Sequence, residues 1–208
     1  NTLATLGAPN HIYVPDLKDS AAKFFPKVAG QKVIAVLVGG SDANYKLSPE
    51  WAREVLSPLK KIGAKILLTT SRRTGQATDN EIAKIFAGCD YLLLASKDPD
   101  TNPIPAMLGR ASHVLVTEDS VSMVSEDVTA GFRVGLVRVP RVTGLVKKLF
   151  GFGAQRFDEL FSRMVEKNLI EDLGNAPDFE KFLAPTEQKH GQNFNEAQRA
   201  AEWIINHA

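Results

Sequence analysis

Short, uniformly apolar segments limit the fold of this chain more than any other feature of its sequence. Residues 33–38 read VIAVLV, and further segments of strand length follow at 65–70, 91–95, 113–118 and 132–140. A strand without polar alternation is buried on both faces, as in a parallel sheet that helices cover on each side. Because segments with helical signals lie between these strands, the sequence predicts an α/β fold with a doubly wound parallel sheet.

The chain divides into three predicted parts. Residues 31–140 form the Rossmann-like domain that contains all five strands. Residues 1–30 hold one short apolar segment and a proline-containing connector, and we expect them to be the remnant of a preceding domain. Residues 141–208 show no further convincing strand and predict a helical extension that packs back on the fold, with an amphipathic helix around 157–164 and a closing helix at about 195–206.

Composition excludes several classes of function. The 25 basic and 24 acidic side chains nearly balance, so charge gives no reason to expect a nucleic-acid partner. Cys89 is the only cysteine, which excludes a disulfide framework and favours a reducing, cytoplasmic compartment. No apolar run approaches the roughly 20 residues that span a bilayer. Sequence patterns of serine hydrolases, zinc peptidases and P-loop enzymes are missing, and we expect neither a metal nor another cofactor.

Polar residues follow the predicted strands, at the edge of the sheet where ligands of open α/β folds bind. The loop GGSDANY after the first strand has two glycines that let the backbone approach a phosphate, and TTSRRT after the second carries arginines that can bind phosphate bidentately. The dipeptide NP opens a helix after the third strand. These loops supply the candidate binding residues Gly39, Gly40, Ser41, Asn44, Tyr45, Ser71, Arg72, Arg73, Thr74, Asn102 and Pro103.

Each of these loops also has a plainer interpretation. Two glycines at a strand end can simply form a turn, and paired arginines can be a solvated face. The triplet Asp98-Pro99-Asp100 has the pattern of a divalent-metal site on nucleotide-sugar enzymes, but such triplets are frequent and a turn is the favoured interpretation.

The segment VTEDSVSMVSE at 116–126 is the most informative one. On a helix that starts near Ser120, a polar face would carry Asp119, Ser122 and Glu126, opposite a face of valines. The first backbone amides of such a helix favour an anion, and Glu126 can accept hydrogen bonds from a diol. We therefore expect a phosphate at the helix tip and a ribose at Glu126, with ordinary N-capping as the alternative. The candidate residues here are Glu118, Asp119, Ser120, Val121, Ser122, Met123 and Glu126.

A basic stretch without acidic residues runs from Val128 to Phe157. It is interpreted either as a solvated face or as a surface for an anionic partner, a lipid headgroup or a phosphorylated glycan acceptor, which would place the protein at the periphery of a membrane. Its basic residues are Arg133, Arg138, Arg141, Lys147, Lys148 and Arg156.

These motifs resemble known proteins. VLVGGS and DSVSMVSEDVTAG resemble the donor-binding half of the two-domain GT-B glycosyltransferases. The blocks GAPN, VGGSDANY, TTSRRT, VTEDSVSMVSE and FNEAQRAAEWI are similar, in the same order, to those of the ELM family, named for plant mitochondrial fission. The resemblance implies a GT-B fold of the C-terminal-domain type and a nucleoside-diphosphate sugar as ligand, bound without metal.

The same resemblance implies where catalysis would occur. Family members carry another Rossmann-like domain before GAPN, and the residues that precede the first strand here are too few to form it. The catalytic base is expected in that N-terminal domain, so we expect this chain to bind a donor without turning it over. The alternatives are a non-catalytic interaction protein of the mitochondrial-fission type and a sugar-nucleotide epimerase. The polar residues at the strand ends favour the donor-binding interpretation.

Overall fold

A computed structural model describes residues 2–25, 32–142, 152–185 and 194–207 of the chain. Its centre is a six-stranded sheet in the order β3-β2-β1-β4-β5-β6, in which every paired strand is parallel. The strands are β1 (Val33–Val38), β2 (Lys65–Thr70), β3 (Tyr91–Leu93), β4 (His113–Thr117), β5 (Arg133–Val137) and β6 (Ile170–Asp172). The doubly wound, Rossmann-like parallel sheet predicted from the apolar segments is confirmed.

Helices cover both faces of this sheet. They are α1 (Val14–Phe24), α2 (Pro49–Trp51) with a π turn (Ala52–Leu56) and a 3-10 turn (Ser57–Lys61) after it, α3 (Gln76–Ile85), α4 (Ile104–Arg110), α5 (Val121–Thr129), α6 (Phe152–Glu166), α7 (Phe179–Leu183) and α8 (Glu196–His207).

The apolar side chains of β1 show why both faces need a cover. All six positions are buried, and Ala35 packs in the layer of α1, α4, α5 and α6, while Val36 packs in the layer of α2, α3 and α7. Successive side chains of a strand point to opposite faces, so an all-apolar strand requires two apolar layers.

Residues 2–25 contain a helix that packs on the sheet domain, where the sequence indicated a connector. Residues 14–24 form α1, whose Leu17 and Ala21 are buried against α4. The helices touch so closely that a Cβ atom on Gly109 would overlap the backbone of Leu17. Pro15 lies in the first turn of this helix, where a proline removes no intrahelical hydrogen bond and starts a helix as readily as it breaks one.

The C-terminal part contributes a strand, which corrects the prediction of a purely helical extension. Ile170 of β6 is buried and pairs with Val134 of β5. A strand of three residues is too short to show a hydropathy pattern. The two predicted helices are present as α6, with Phe161 and Met164 fully buried, and as α8.

The carboxyl group of Asp127 on α5 is buried without a hydrogen-bond partner among the described residues. Asp127 is fully buried, and neither of its oxygens has a hydrogen-bond partner among the described residues. Burial, and secondarily the charge of Glu126, raises the pKa of Asp127 well above its ordinary value. An acid whose pKa is raised by folding binds protons more tightly in the folded state, so its contribution to stability falls as pH rises from the unfolded pKa toward the folded one.

We therefore expect Asp127→Ala to raise the free energy of unfolding at pH 7 by about 1–3 kcal/mol, the cost of a buried polar group without a partner. Urea denaturation at pH 7 and pH 4 measures it, and the gain should shrink at pH 4, where the wild-type side chain is more protonated in both states. The control is Asp19→Ala on the exposed side of α1, with an expected change within about 0.5 kcal/mol. A less stable Asp127→Ala variant at pH 7 would contradict the assignment.

Candidate functional site

The loops after β1, β2 and β4 meet at the carboxyl edge of the sheet. The N–H of Gly39 donates to Thr117 Oγ1 at 2.7 Å, and the N–H of Gly40 donates to Asp119 Oδ2 at 2.7 Å. The N–H of Ser41 donates to the carbonyl of Arg73 at 3.0 Å. Here the term loop junction denotes the contacts among Gly39, Gly40, Arg73, Thr117 and Asp119. Because the three amides of the glycine loop are used inside the protein, they do not form a phosphate cradle in this arrangement.

The two glycines are required by the packing of the junction. A Cβ atom on Gly39 would overlap the Asp119 carboxylate, and one on Gly40 would overlap the backbone of Arg73. Close packing within the protein thus accounts for both glycines, beside the interpretation that they let the backbone approach a ligand. Gly39 leaves room for the Asp119 carboxylate, and Gly40 leaves room for the backbone of the loop after β2.

Asp119 is the charged centre of the loop junction. Its side chain is fully buried, Oδ2 lies 3.4 Å from Arg73 Nη2, and Oδ1 has no partner among the residues that the structure describes. Burial raises the pKa of Asp119, and hydrogen bonds from Thr117 and Gly40 act against that rise. Asp119 lies before α5, which begins at Val121, so the predicted polar helix face shared with Glu126 is wrong for this residue.

The residues of TTSRRT have different roles in the structure, which the sequence alone did not distinguish. Arg73 is held by Asp119 and, at 3.8 Å, by Asp42. The Thr74 hydroxyl donates to the carbonyl of Gly39 at 2.5 Å and accepts from the N–H of Ser71 at 2.9 Å. The side chain of Arg72 is exposed and makes no ion pair or hydrogen bond within the described ranges. Arg73 and Thr74 therefore fix the loops, whereas Arg72 is available to a ligand.

A cavity of about 370 Å³ opens beside the junction, at the carboxyl ends of β1, β2 and β3. We call it the strand-end cavity. It is lined by Val38, Thr69, Thr70, Ser71, Arg72, Leu93, Ala95, Pro99, Thr101, Asn102, Pro103, Ile104 and Met123. Five of these were predicted from the sequence, namely Ser71, Arg72, Asn102, Pro103 and Met123. The fold thus brings together predicted residues from three separate segments.

The tip of α5 borders this cavity through Met123. Ser120 caps the helix, and its hydroxyl accepts from the N–H of Met123 at 3.4 Å. The amides of Val121 and Ser122 have no acceptor within the described part of the chain, as expected for the first turn of a helix. They form the electropositive end of the helix, where Ser122 is exposed.

Glu126 lies further along α5, next to the N-terminal segment. It is half-buried, and burial raises its pKa while the charge of His11 lowers it. The segment is fixed on the helix because the N–H of Ala8 donates to Ser125 Oγ at 2.9 Å and Asn10 Nδ2 donates to Thr129 Oγ1 at 3.0 Å. The backbone carbonyl of Glu126 accepts from the N–H of Ala130, whereas its carboxylate makes no ion pair or hydrogen bond within the described ranges.

Glu118 lies on the other side of the junction, in an ion-pair cluster. Its side chain is 1% exposed, Oε1 accepts from the N–H of Val139 at 2.9 Å, and Oε2 accepts from Arg138 Nη1 at 2.6 Å and from Arg141 Nη2 at 3.4 Å. Asp172 and Asp158 pair with the same arginines. Both oxygens of Glu118 are therefore used by the protein itself. The cluster forms part of a second cavity of about 550 Å³, the Glu118 cavity.

The rest of the β1 loop faces this cluster. Tyr45 is fully buried, and the guanidinium of Arg141 lies 6.0 Å from its ring. Burial raises the pKa of Tyr45 to about 12. The carbonyl of Asn44 accepts from the N–H of Val142 at 2.8 Å, and Ser41 Oγ accepts from the N–H of Leu47 at 3.0 Å. These predicted binding residues shape the loop and do not line the strand-end cavity.

Three of the six residues of the predicted basic stretch form ion pairs. Arg133 pairs with Glu171 at 2.9 Å, Arg138 with Asp172 at 2.7 Å, and Arg141 with Asp158. The partners lie 38, 34 and 17 residues further along the chain, so the sequence alone did not show them. Arg156 is exposed, and Lys147 and Lys148 lie outside the described residues.

The Asp-x-Asp triplet lies in the loop after β3. Asp98 Oδ1 accepts from the N–H of Thr101 at 3.2 Å, so the Asp-x-Asp triplet begins a turn. Within the described ranges no group of three or more His, Cys, Asp or Glu side chains could hold a metal ion. No helix in the same ranges is long and apolar enough to cross a membrane.

Comparison with known proteins gives matches over nearly the whole chain. The family model described as mitochondrial fission ELM1 matches residues 1–208. An uncharacterized protein of Rickettsia prowazekii, RP120, is 26% identical over 187 residues, which cover 88% of this chain and 48% of that protein. The chain therefore spans about half the length of this curated relative.

Two solved structures share the fold. MurG of Acinetobacter baumannii superimposes with a TM-score of 0.55 at 15% identity, over 98% of this chain and 55% of that one. A protein of Listeria monocytogenes described as a UDP-N-acetylglucosamine 2-epimerase gives a TM-score of 0.55 at 14% identity, over 98% and 50% of the two chains. At these identities the likeness concerns the fold alone.

The ion pairs of Glu118 lead to a prediction about the stability of the protein. Glu118→Ala should lower the free energy of unfolding by about 1–3 kcal/mol, because the buried N–H of Val139 loses its acceptor while Arg138 and Arg141 keep Asp172 and Asp158 as partners. Urea denaturation is the measurement. The matched control is Glu54→Ala, an exposed carboxylate on the same cavity, which should change stability by less than about 0.5 kcal/mol. Equal stability of the two variants would show that Glu118 has no structural role.

Proposed function

Because the chain belongs to the mitochondrial fission ELM1 family and has the Rossmann-like fold of GT-B proteins, we propose that it binds a nucleoside-diphosphate sugar at the carboxyl edge of its sheet. The observation that carries the proposal is the strand-end cavity. It collects hydroxyl, amide and guanidinium groups at the position where open α/β sheets bind ligands. A scaffold without a ligand needs no such convergence.

The groups suited to a diphosphate are Arg72 and the first turn of α5. Arg72 is exposed on the rim of the strand-end cavity without a partner in the described part, and the amides of Val121 and Ser122 are unused there. A guanidinium and the positive end of a helix both favour phosphate oxygens. In the proposal they share the charge of the diphosphate, so no metal ion is needed.

Glu126 is assigned to the ribose. A carboxylate with both oxygens available accepts hydrogen bonds from two neighbouring hydroxyls. Its half-buried position on α5 favours this role, because a hydrogen bond to a partly desolvated carboxylate is stronger than one in water.

The chemical step belongs to a wider proposal about the whole protein. This chain spans about half of its relative, and by the resemblance to two-domain glycosyltransferases the catalytic base would lie in a preceding domain. We propose that these 208 residues bind the donor and do not turn it over. A sugar-nucleotide epimerase is a second candidate, supported by the similar fold of the Listeria protein.

An interaction role of the mitochondrial-fission type remains the alternative from another class. The apolar side chains of Ile204 and Ile205 on α8 are 58% and 77% exposed, which favours a contact with another protein surface. The two roles are compatible, because α8 does not line the strand-end cavity.

Two substitutions test the donor site. Glu126→Ala and Arg72→Ala should each weaken nucleoside-diphosphate binding by about 1.5–3 kcal/mol, the range for a hydrogen bond to a charged group, without lowering the melting temperature. Isothermal titration calorimetry with UDP, GDP, ADP and CDP measures the affinities. The control is Arg73→Ala, whose main effect should be on stability because its guanidinium holds the loop junction. Unchanged affinities in both site variants would rule out the assignment.

Metal dependence provides a separate test. If Arg72 and the α5 tip neutralise the diphosphate, binding should persist in excess EDTA and in the double variant Asp98→Asn, Asp100→Asn. The same calorimetric titration measures it. A requirement for manganese that disappears in the double variant would favour the Asp-x-Asp alternative.

A further inference from the structure

We propose that another cavity of the protein binds a phosphate monoester with an apolar substituent. The cavity has a volume of about 580 Å³ and lies between residues 4–6, the end of α6 and the start of α8. We call it the terminal cavity. In the described part of the chain it shares no lining residue with the strand-end cavity, so the inference does not depend on the proposed nucleotide site.

The lining of the terminal cavity carries an excess of positive charge. Arg163 lies in the last turn of α6, Lys167 follows one helical turn later, and Arg199 comes from α8. The side chains of Arg163 and Lys167 are exposed and make no ion pair or hydrogen bond within the described ranges. Glu196 is the one acidic residue among the described lining residues, so two positive charges are left without a counter-charge.

Glu196 is used within the protein and prepares Arg199 for a ligand. The carboxylate is buried, and its Oε2 accepts from the N–H of Leu6 at 3.0 Å and from Arg199 Nη2 at 2.7 Å. Arg199 Nη2 also donates to the carbonyl of Ala4, whereas Nη1 has no partner among the described residues. A guanidinium that is already held on one side loses less freedom when a ligand binds, which favours binding.

Stabilisation of a helix end explains only part of this arrangement. Cations in the last turn of a helix interact favourably with its dipole, which accounts for Arg163 and Lys167. It does not account for Arg199, which belongs to a different helix and lines the same cavity. Three positive side chains around one cavity repel each other, and a bound anion removes that repulsion.

The chemistry of the lining selects the class of anion. A phosphate monoester carries a charge of about −1.5 to −2 at pH 7, which matches the excess of two positive charges better than a single carboxylate does. Guanidinium groups also bind phosphate oxygens bidentately. Leu6, Leu169 and Phe194 are buried residues that line the same cavity. Because apolar surface contributes nothing to a hydrated inorganic ion, these residues favour an ester with an apolar substituent.

The first experiment compares phenyl phosphate with inorganic phosphate by calorimetric titration of the whole chain. Phenyl phosphate should bind at least about tenfold more tightly, because its ring gains from contact with Leu6, Leu169 and Phe194. Equal binding of the two would overturn the apolar part of the assignment.

A lipid headgroup presents the same monoester as a soluble compound, so a second arm uses vesicles of phosphatidylcholine with and without phosphatidic acid. Flotation only with phosphatidic acid would identify the lipid as the source. Phenyl phosphate binding without flotation would identify a soluble ester. Binding in neither arm would refute the proposal.

The double variant Arg163→Gln, Lys167→Gln tests the site itself. Its affinity for phenyl phosphate, or its flotation with phosphatidic acid, should fall at least about tenfold, the equivalent of one hydrogen bond to a charged group. Both side chains are exposed, so the fold should be kept, and a thermal melt checks that.

The matched control is Lys18→Gln, Lys23→Gln, which removes the same charge from two exposed positions of α1 and should leave binding unaltered. An equal loss in both double variants would show that only net charge matters and would overturn the site. Nucleoside-diphosphate affinity should not change in Arg163→Gln, Lys167→Gln, so failure of this inference and failure of the proposed function are distinguishable.

Discussion

The Asp119 carboxylate organises the functional edge of this protein. It lies fully buried beneath the loop after β1, accepts the N–H of Gly40 and attracts Arg73 from the loop after β2. Thr117, at the end of β4, holds Gly39 in the same junction. Three strand ends are thereby fixed to one another, and the closeness of the contact dictates glycine at two successive positions. A charge buried this deeply is tolerable because one of its oxygens accepts two hydrogen bonds.

The junction determines which groups are left for a ligand. Since it uses the amides of the glycine loop and the guanidinium of Arg73, a ligand meets Arg72, the α5 tip and the strand-end cavity instead. The sheet order 3-2-1-4-5-6 reverses direction between β1 and β4, the position at which doubly wound sheets form their crevice. The cavity lies at the ends of β1–β3 and the α5 tip follows β4, so a nucleotide bound as proposed would span that reversal.

Stability and binding are assigned to adjacent residues of one segment. Glu118 turns toward Arg138 and Arg141 and joins the carboxyl ends of β4 and β5 to β6 and α6 through Asp172 and Asp158. Asp119 serves the loop junction, and the ligand-facing groups begin only with the first turn of α5. Substitutions at residues 118 and 119 should therefore change mainly the stability of the fold. A substitution of Glu126 should have little effect on the core.

The sequence by itself determined the parallel sheet, because strands such as VIAVLV can be buried only between two apolar layers. It also placed Ser71, Arg72, Asn102, Pro103 and Met123 near one another, since the carboxyl ends of parallel strands share one edge. Only the tertiary structure showed that Arg73 is used within the protein while Arg72 is left for a ligand. It also gave Glu118 its ion pairs and placed helix α1 and strand β6 on the same sheet domain. Those outcomes depend on partners distant in sequence and on atoms already used in hydrogen bonds, and neither can be read from the order of residues along the chain.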